Sequence, residues 1–555
     1  MFRGLYLLIF DSTGCLKDDC DVTAVIFLRQ FCYLAKKAAL QCPVENVQKE
    51  VRAFLDLDQG LPTPEKEWFL PSVSSADLKA MSPGFRASKL YGQRLDALSA
   101  PERRMMSVIL VNLDKVSGLL STVLGPYRYQ DWRFRHGPGA IAEATGKSNK
   151  YRWTNWSNRL DSEYPMSDCG FFNHTSWVDH IQNWEISSKE PFSRLVDVPK
   201  SFTKPRLISV EPSEHQWCQQ NIWHYLCDRV RAEWPGSFIH FRDQTHNQTL
   251  CTKGSKDGSL ITVDLSAASD RVTCHAVGQL FARNRGLLCA LRATRTMGVK
   301  QVLVSDRPER NFLKKFSTMG SACTFPVQSL FFLAISLAAV LYARGKLVTR
   351  KNIQELVGSV AVYGDDLIVP ADSRDALFST LAFLDCKINT DKSFWAGRFR
   401  ESCGVDSFRG VNVTPVYWKQ LISDKPESVV SATEVRNHFY LGWYQHVSRH
   451  MTTALRKVVK LPYVGMGSGV LGLKTRCKPP LPTHRCRWNG KLQRVDVSVP
   501  TLLAKVRKTP IEDDTALFQY LTERPVPDSK WKSGIAQRPV ISLRYRWVAW
   551  DDMDP

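Results

Sequence analysis

The chain has 555 residues, 75 basic against 54 acidic, and a formal net charge of +21. That length supports several packed lobes, and the excess of cations favours a polyanion as partner, because neutralising phosphates releases counterions. Fifteen cysteines are scattered singly, and Cys477, His484 and Cys486 lack a second close-spaced pair; a structural zinc and a disulfide framework are therefore not expected, and free thiols in a reducing cytosol are.

At the N-terminus the apolar run 5–10 is too short for a signal sequence and is followed at once by Asp11. Residues 25–40 read as an apolar helical run, and 61–83 as loops rich in Pro and Ser. From Tyr91 to Thr252 the chain is dense in Trp and in cations. Arg133, Arg135, Lys147, Lys150 and Arg152 interleave with Trp132, Tyr151, Trp153 and Trp156. Such interleaving suits a groove in which cations meet phosphates and rings stack on bases. The plainer alternative is core aromatics beside a solvated charged face.

The β-branched run 259–263 reads as a strand that ends at Asp264. Asp270 would lie in the turn after it, before a helix over about 272–292. Carboxylates that hold two cations about 4 Å apart must come from separate strands, and Asp264 suits that need. The alternative for Asp270 is a helix N-cap. Residues 319–328 form a small-residue loop running into an apolar helix, 329–342. Thr324 and Gln328 share one face if the segment is already helical, where they could meet sugar hydroxyls; helix capping is the alternative. The apolar stretch 330–343 contains Ser336 and falls short of the ~20 residues a membrane span needs, so it reads as a buried helix.

Tyr363-Gly364-Asp365-Asp366 stands between two short apolar runs, 359–362 and 367–370. The pattern is strand, tight turn, strand. Adjacent carboxylates at a hairpin tip repel unless a cation lies between them, and hard divalent cations prefer such oxygens. Further on, Pro479, Pro480 and Pro482 mark an irregular loop. The C-terminal part carries Lys474, Arg476, Lys478, Arg485, Arg487, Lys505, Arg507 and Lys508. These suit either a guide for a polyanion or a solvated surface.

The order Asp-x5-Asp, Gly-x3-Thr-x3-Gln, Tyr-Gly-Asp-Asp resembles palm motifs A, B and C of RNA-dependent RNA polymerases. Asp243-Gln244-Thr245-His246-Asn247-Gln248, Gly254 to Ser259, and Phe399-Arg400-Glu401-Ser402-Cys403-Gly404 continuing to Gly410-Val411-Asn412-Val413-Thr414-Pro415 narrow the resemblance. So do Val198 to Arg206 with Glu211-Pro212, and His136-Gly137-Pro138-Gly139-Ala140. Together they resemble the replicase β subunit of single-stranded RNA bacteriophages, the levivirus or Qbeta type, over roughly 136–417. Gln328 departs from the Asn that many RNA polymerases carry there, offering the same amide on a longer arm.

The resemblance implies an α+β right-hand fold: residues 1–90 bridging lobes, 91–252 fingers, 253–404 palm with a finger insertion near 292–316, and 405–555 thumb and basic C-terminal region. It implies RNA-templated RNA synthesis with primer-independent initiation in the cytoplasm of an infected bacterium. Asp264, Leu265, Asp365 and Asp366 would hold two Mg2+ ions, with Mn2+ as substitute. Lys200, Lys204 and Arg206 would clamp the triphosphate of the incoming NTP. Asp270, Ser321, Thr324 and Gln328 would meet its ribose, and Lys392 would protonate pyrophosphate. Arg133, Arg135, Lys150, Arg152 and Glu401 are candidate RNA contacts for template and product. Implied partners are host elongation factors Tu and Ts and a small-subunit ribosomal RNA-binding protein, with no membrane. A reverse transcriptase and an inactive RNA-binding scaffold are the competing readings; Asp270 and the 320–328 loop speak against the first, and the three core aspartates against the second.

Overall fold

The computed structural model describes residues 2–38, 40–137, 139–143, 150–153, 155–171, 173–181, 186–481, 485–506, 508–510, 514–522, 534–536 and 540–553. Pro138, Lys147, Pro482, His484 and Arg507, named above, lie outside the described residues.

The architecture is α+β, as expected. Its centre is a three-stranded antiparallel sheet in which Asp366–Pro370 lies between Leu260–Val263 and Ala361–Tyr363. These strands are continuous apolar runs because both faces of the sheet are covered. Leu260, Ala361 and Ile368 face Leu250 and Cys251 of helix Thr245–Asp257. Ile261, Val263, Val362, Leu367 and Val369 point the other way, into the main core. The alternation follows from the two-residue period of a strand.

Helix Thr324–Ala343 runs behind the sheet and is buried along nearly its whole length. It begins five residues earlier than the apolar run alone indicates. Pro326 is tolerated there because a first-turn N–H has no helical partner to lose. A second long apolar helix, Ala100–Leu124, packs against it. Both are long and apolar enough to cross a membrane, but here their apolar faces build the protein core.

The single helix expected over 272–292 is two, Cys274–Leu280 and Arg285–Thr294. Asn284 makes the break: its side chain accepts from Leu287 N–H at 3.2 Å and donates to Gly125 O at 2.8 Å. Beyond it, Gly298–Lys300 and Arg310–Phe312 leave the central layer. They join Ser193–Val198 and Arg206–Val210 in a second sheet. Helix Val44–Gln59 packs Val47, Val51 and Leu55 on that sheet.

The helical run expected over 25–40 is shorter and earlier, Val22–Tyr33, and packs on the hairpin 399–408. The C-terminal part contains the helix pair Pro426–Leu441 and Gln445–Val458 and a sheet of Cys486–Asn489, Arg494–Lys505 and Val540–Ala549. Helix Asp514–Thr522 then returns to place Phe518 against Trp217, with ring centroids 5.3 Å apart.

Candidate active site

The hairpin closes through Gly364 and Asp365, since Tyr363 pairs with Asp366. Gly364 takes φ 64, and a Cβ there would come within 2.9 Å of Phe325 and 3.1 Å of the Gln328 amide nitrogen. Glycine is therefore needed twice over, for the turn and for the close approach of the helix start. Ser329 Oγ accepts from Gly364 N–H at 3.2 Å and fixes the turn on that helix.

Asp264 immediately follows Val263, which pairs with Leu367, so the register sets Asp264, just past the end of its strand, beside Asp366. Asn389 donates its backbone N–H to Asp264 O at 2.9 Å and its side-chain amide to the carboxylate at 2.7 Å. Ser393 Oγ accepts from Asp264 N–H at 3.1 Å, and Lys392 Nζ lies 3.7 Å from the carboxylate. Asp366 accepts from Cys403 N–H at 2.9 Å.

The acids disturb one another. Burial, then the Asp365 charge, pushes Asp366 up to about 7, with Asp264 adding to the effect. Burial raises Asp264 as well; Lys392 opposes that rise and Asp365 reinforces it. Glu401 is raised by burial and by Asp406, against Lys392. Lys392 itself is held above its ordinary value: burial lowers it, but Asp264, Glu401, Asp366 and Asp365 together prevail. Lys200 reaches the same field from the second sheet. Desolvation lowers it first, then Arg206 and Lys392, while Asp365 and Asp264 raise it.

This crowding of carboxylates calls for cations, and oxygen donors suit a hard divalent ion. By donor chemistry the acids fit magnesium. Among the described residues no three His, Cys, Asp or Glu side chains are already gathered around one point. Asp264 is drawn toward Asn389 and Lys392 instead. Leu265 pairs with Ile388 and could contribute only its carbonyl.

The other expected residues are placed as follows. Thr324 and Gln328 do lie on one helix. Thr324 Oγ1, however, is turned to its own loop, donating to Thr318 O at 2.7 Å and meeting Ser317 Oγ at 2.9 Å. Gln328 is buried, its carbonyl oxygen without a partner among the described residues and its amide nitrogen toward the Gly364 turn. Ser321 Oγ accepts from Cys323 N–H at 3.2 Å. Gly320 (φ 139) presses on the second sheet, where a Cβ would sit 1.8 Å from Ser209 O. Asp270 is not a helix cap: it lies inside the single turn Ala268–Arg271 and pairs with Lys315 at 3.1 Å, while Thr273 caps the next helix.

Arg206 opens its strand, exposed, opposite Val198, and Lys204 is exposed and paired with Glu50 at 3.0 Å. The groove of stacking aromatics is corrected. Trp153 and Trp156 are core residues, and Trp132 and Tyr151 pack on that core. Lys150 is also turned inward, donating to Gly137 O at 2.9 Å and to Gly139 O. Arg133 meets His224 at 3.4 Å and Arg135 meets Gln220 at 3.5 Å. Arg152 is exposed, beside a cavity of about 380 Å³ that Phe518 also lines. Sequence reading assigned no role to Asn389, Ser393, Cys403 or Lys315, although Asn389 stands three residues before Lys392 and Cys403 lies within the 399–404 motif.

Residues 173–441, which carry every site residue from Lys200 to Glu401, match the family model described as RNA replicase, beta-chain. This segment is similar to the phage RNA replicase β-chains. The chain is 32% identical over 273 residues to the RNA-directed RNA polymerase beta chain of Enterobacteria phage GA, covering 48% of this chain and 46% of that one. It is 34% identical over 264 residues to the RNA-directed RNA polymerase subunit beta of Escherichia virus Qbeta, covering 46% and 39%. With the beta chain of Escherichia phage MS2 the figures are 32% over 254 residues, 45% and 42%. The similarity thus spans less than half the length of these relatives. It is the likeness that the sequence motifs indicated. Arg133, Arg135, Lys150 and Arg152 lie outside the segment matched to the replicase family.

Proposed function

We propose that this chain is an RNA-directed RNA polymerase that replicates a single-stranded RNA phage genome within the infected host. The observation that carries the reading is the pairing register that sets Asp264 beside Asp366, with the Gln328 amide against the turn that bears Asp365. The reading includes a right-hand arrangement. The central sheet and its two helices form the palm, the sheet of 193–210 and 298–312 belongs to the fingers, and the helix pair 426–458 belongs to the thumb.

Asp264, Asp365 and Asp366, with the Leu265 carbonyl, would hold two magnesium ions, which when bound activate the attacking 3′ hydroxyl and neutralise the departing pyrophosphate. The rest falls to the chain's own groups. Lys200, which feels the charges of Asp365 and Asp264, meets the triphosphate together with Arg206 and Lys204, Arg as a fork and Lys as a point charge. Asp270, Ser321 and Gln328 face the ribose, whose 2′ hydroxyl separates RNA precursors from DNA precursors. Lys392, kept protonated by the acids around it, would give a proton to pyrophosphate. Base choice comes from the template, so the RNA channel needs to read backbone shape only.

The test is primer-independent synthesis on an RNA with a cytidine-rich 3′ end. It is run with ribonucleotides or deoxyribonucleotides, and with or without elongation factors Tu and Ts and the ribosomal RNA-binding protein. Template-dependent ribonucleotide polymer in any of these arms supports the reading. Deoxyribonucleotide polymer alone, or RNA binding with no synthesis in every arm, overturns it.

A further inference from the structure

Lys315 has no solvent-exposed side-chain surface, yet it carries an ammonium group. Burying such a charge is costly unless it is well paired. Its Nζ lies 3.1 Å from Asp270 Oδ1, 3.8 Å from Asp58 Oδ1, and 3.5 Å from the centre of the Phe54 ring. Phe54 and Asp58 are four residues apart on helix Val44–Gln59, so one face of that helix surrounds the ammonium.

The two carboxylates differ in what else they hold. Asp58 already accepts from the backbone N–H groups of Lys314 and Lys315, at 2.9 and 3.0 Å. It thereby fixes the main chain from which Lys315 extends. Arg295 grips the Lys315 carbonyl at 2.9 Å, and Thr273 pairs with Lys315 across an isolated bridge. The ammonium is therefore aimed from a rigid base. Asp270 takes its nearer contact and keeps 14% of its side-chain surface open. Among the described residues, its second carboxylate oxygen has no hydrogen-bond partner.

We propose that Lys315 is a positioning residue for ribonucleotide selection, holding the Asp270 carboxylate toward the ribose and linking it to the N-terminal helix Val44–Gln59. The inference rests on the reading of Asp270 as a ribose contact. A helix outside the segment matched to the replicase family thereby governs a sugar-recognising group within it. The arrangement also accounts for a lysine here. A compact ammonium donates to Asp270, lies within ion-pair range of Asp58, and has the Phe54 ring over its remaining side.

The experiment compares wild type with Lys315→Met, Lys315→Arg, Asp58→Asn, Asp270→Ala and the Lys315→Met/Asp270→Ala pair, each with the same host proteins present. Incorporation of a ribonucleoside triphosphate and of its 2′-deoxy analogue is measured opposite one template base, with melting recorded in parallel. Lys315→Met is expected to narrow the ribose preference roughly tenfold, chiefly through the ribonucleotide KM, because polar groups built for a hydroxyl are mispositioned. Lys315→Arg restores part of the preference, and the pair is no worse than Asp270→Ala alone. Asp58→Asn, which weakens the hold on Lys315 without removing its ammonium, narrows the preference to a smaller degree and carries the test if Lys315→Met does not fold. If Asp270→Ala narrows the preference but folded Lys315→Met or Asp58→Asn leaves it unchanged, the Lys315 role is overturned and the ribose reading stands. If Asp270→Ala itself leaves the preference unchanged, the ribose reading fails and the Lys315 role fails with it.

Discussion

Asn389 grips Asp264 twice, donating its backbone N–H to the Asp264 carbonyl at 2.9 Å and its side-chain amide to the carboxylate at 2.7 Å. The main-chain bond survives substitution and the side-chain bond does not. Asn389→Ala therefore leaves the strand in place and frees the carboxylate to turn. A hydrogen bond to a charged group contributes about 1.5–3 kcal/mol. If that orientation is needed in the reaction, turnover falls roughly ten- to a hundredfold with template affinity unchanged. Single-turnover kinetics beside an RNA-binding titration check this; unchanged turnover would mean that Asn389 only braces the loop.

Asp365 stands at the tip of the turn and raises both Asp264 and Asp366. Asp365→Asn removes one carboxylate charge and relaxes that repulsion. Nucleotide addition should be lost while RNA binding persists, since the phosphate contacts of the proposal come from Lys200, Lys204 and Arg206. Manganese in place of magnesium should recover little. Robust polymerisation by the purified variant would falsify the metal-holding role.

Much of this site was legible because strand runs and turn residues are local signals. The apolar runs on either side of Gly364 and Asp365 had to be buried strands, and the register followed from the turn. The remainder depends on partners far apart in sequence. Asn389 meets Asp264 across 125 positions and Lys315 meets Asp270 across 45, so no spacing rule links them. The helix expected over 272–292 failed because Asn284 bonds to Gly125 and Tyr225, tertiary contacts that override helix propensity. Trp153 and Trp156 misled for another reason. Interleaved cations look like a nucleic-acid stripe, but these rings fill the core beside Trp217, and Lys150 is occupied by backbone carbonyls.

Asp366 gives the metal-free protein a pH dependence. Its carboxyl titrates at 3.8 without the fold and near 7 within it, pushed up by burial and then by Asp365. Between those values the folded state binds the extra proton, so stability is highest at the acid end and declines as pH rises to about 7. In a chelating buffer Asp366→Asn should flatten part of that slope. At pH above 7 it should be more stable than wild type by on the order of 2 kcal/mol. Magnesium should restore wild type and not the variant. Melting curves across pH decide the matter, and equal slopes for the two proteins would reject this account.

Gln328 presents the same tension between stability and use. Among the described residues its buried carbonyl oxygen has no partner, and such an atom costs about 1–3 kcal/mol. Its amide nitrogen faces the Gly364 turn. If the oxygen is kept for a ribose hydroxyl, Gln328→Met removes an unpaired polar atom at nearly constant volume. The melting temperature should hold or rise, the ribonucleotide KM should increase, and the preference over 2′-deoxynucleotides should narrow. A purely structural amide predicts the reverse, a lower melting temperature with sugar preference intact. Paired melting and incorporation measurements on the purified variant separate these outcomes, because the two accounts disagree on the sign of the stability change as well as on the substrate effect.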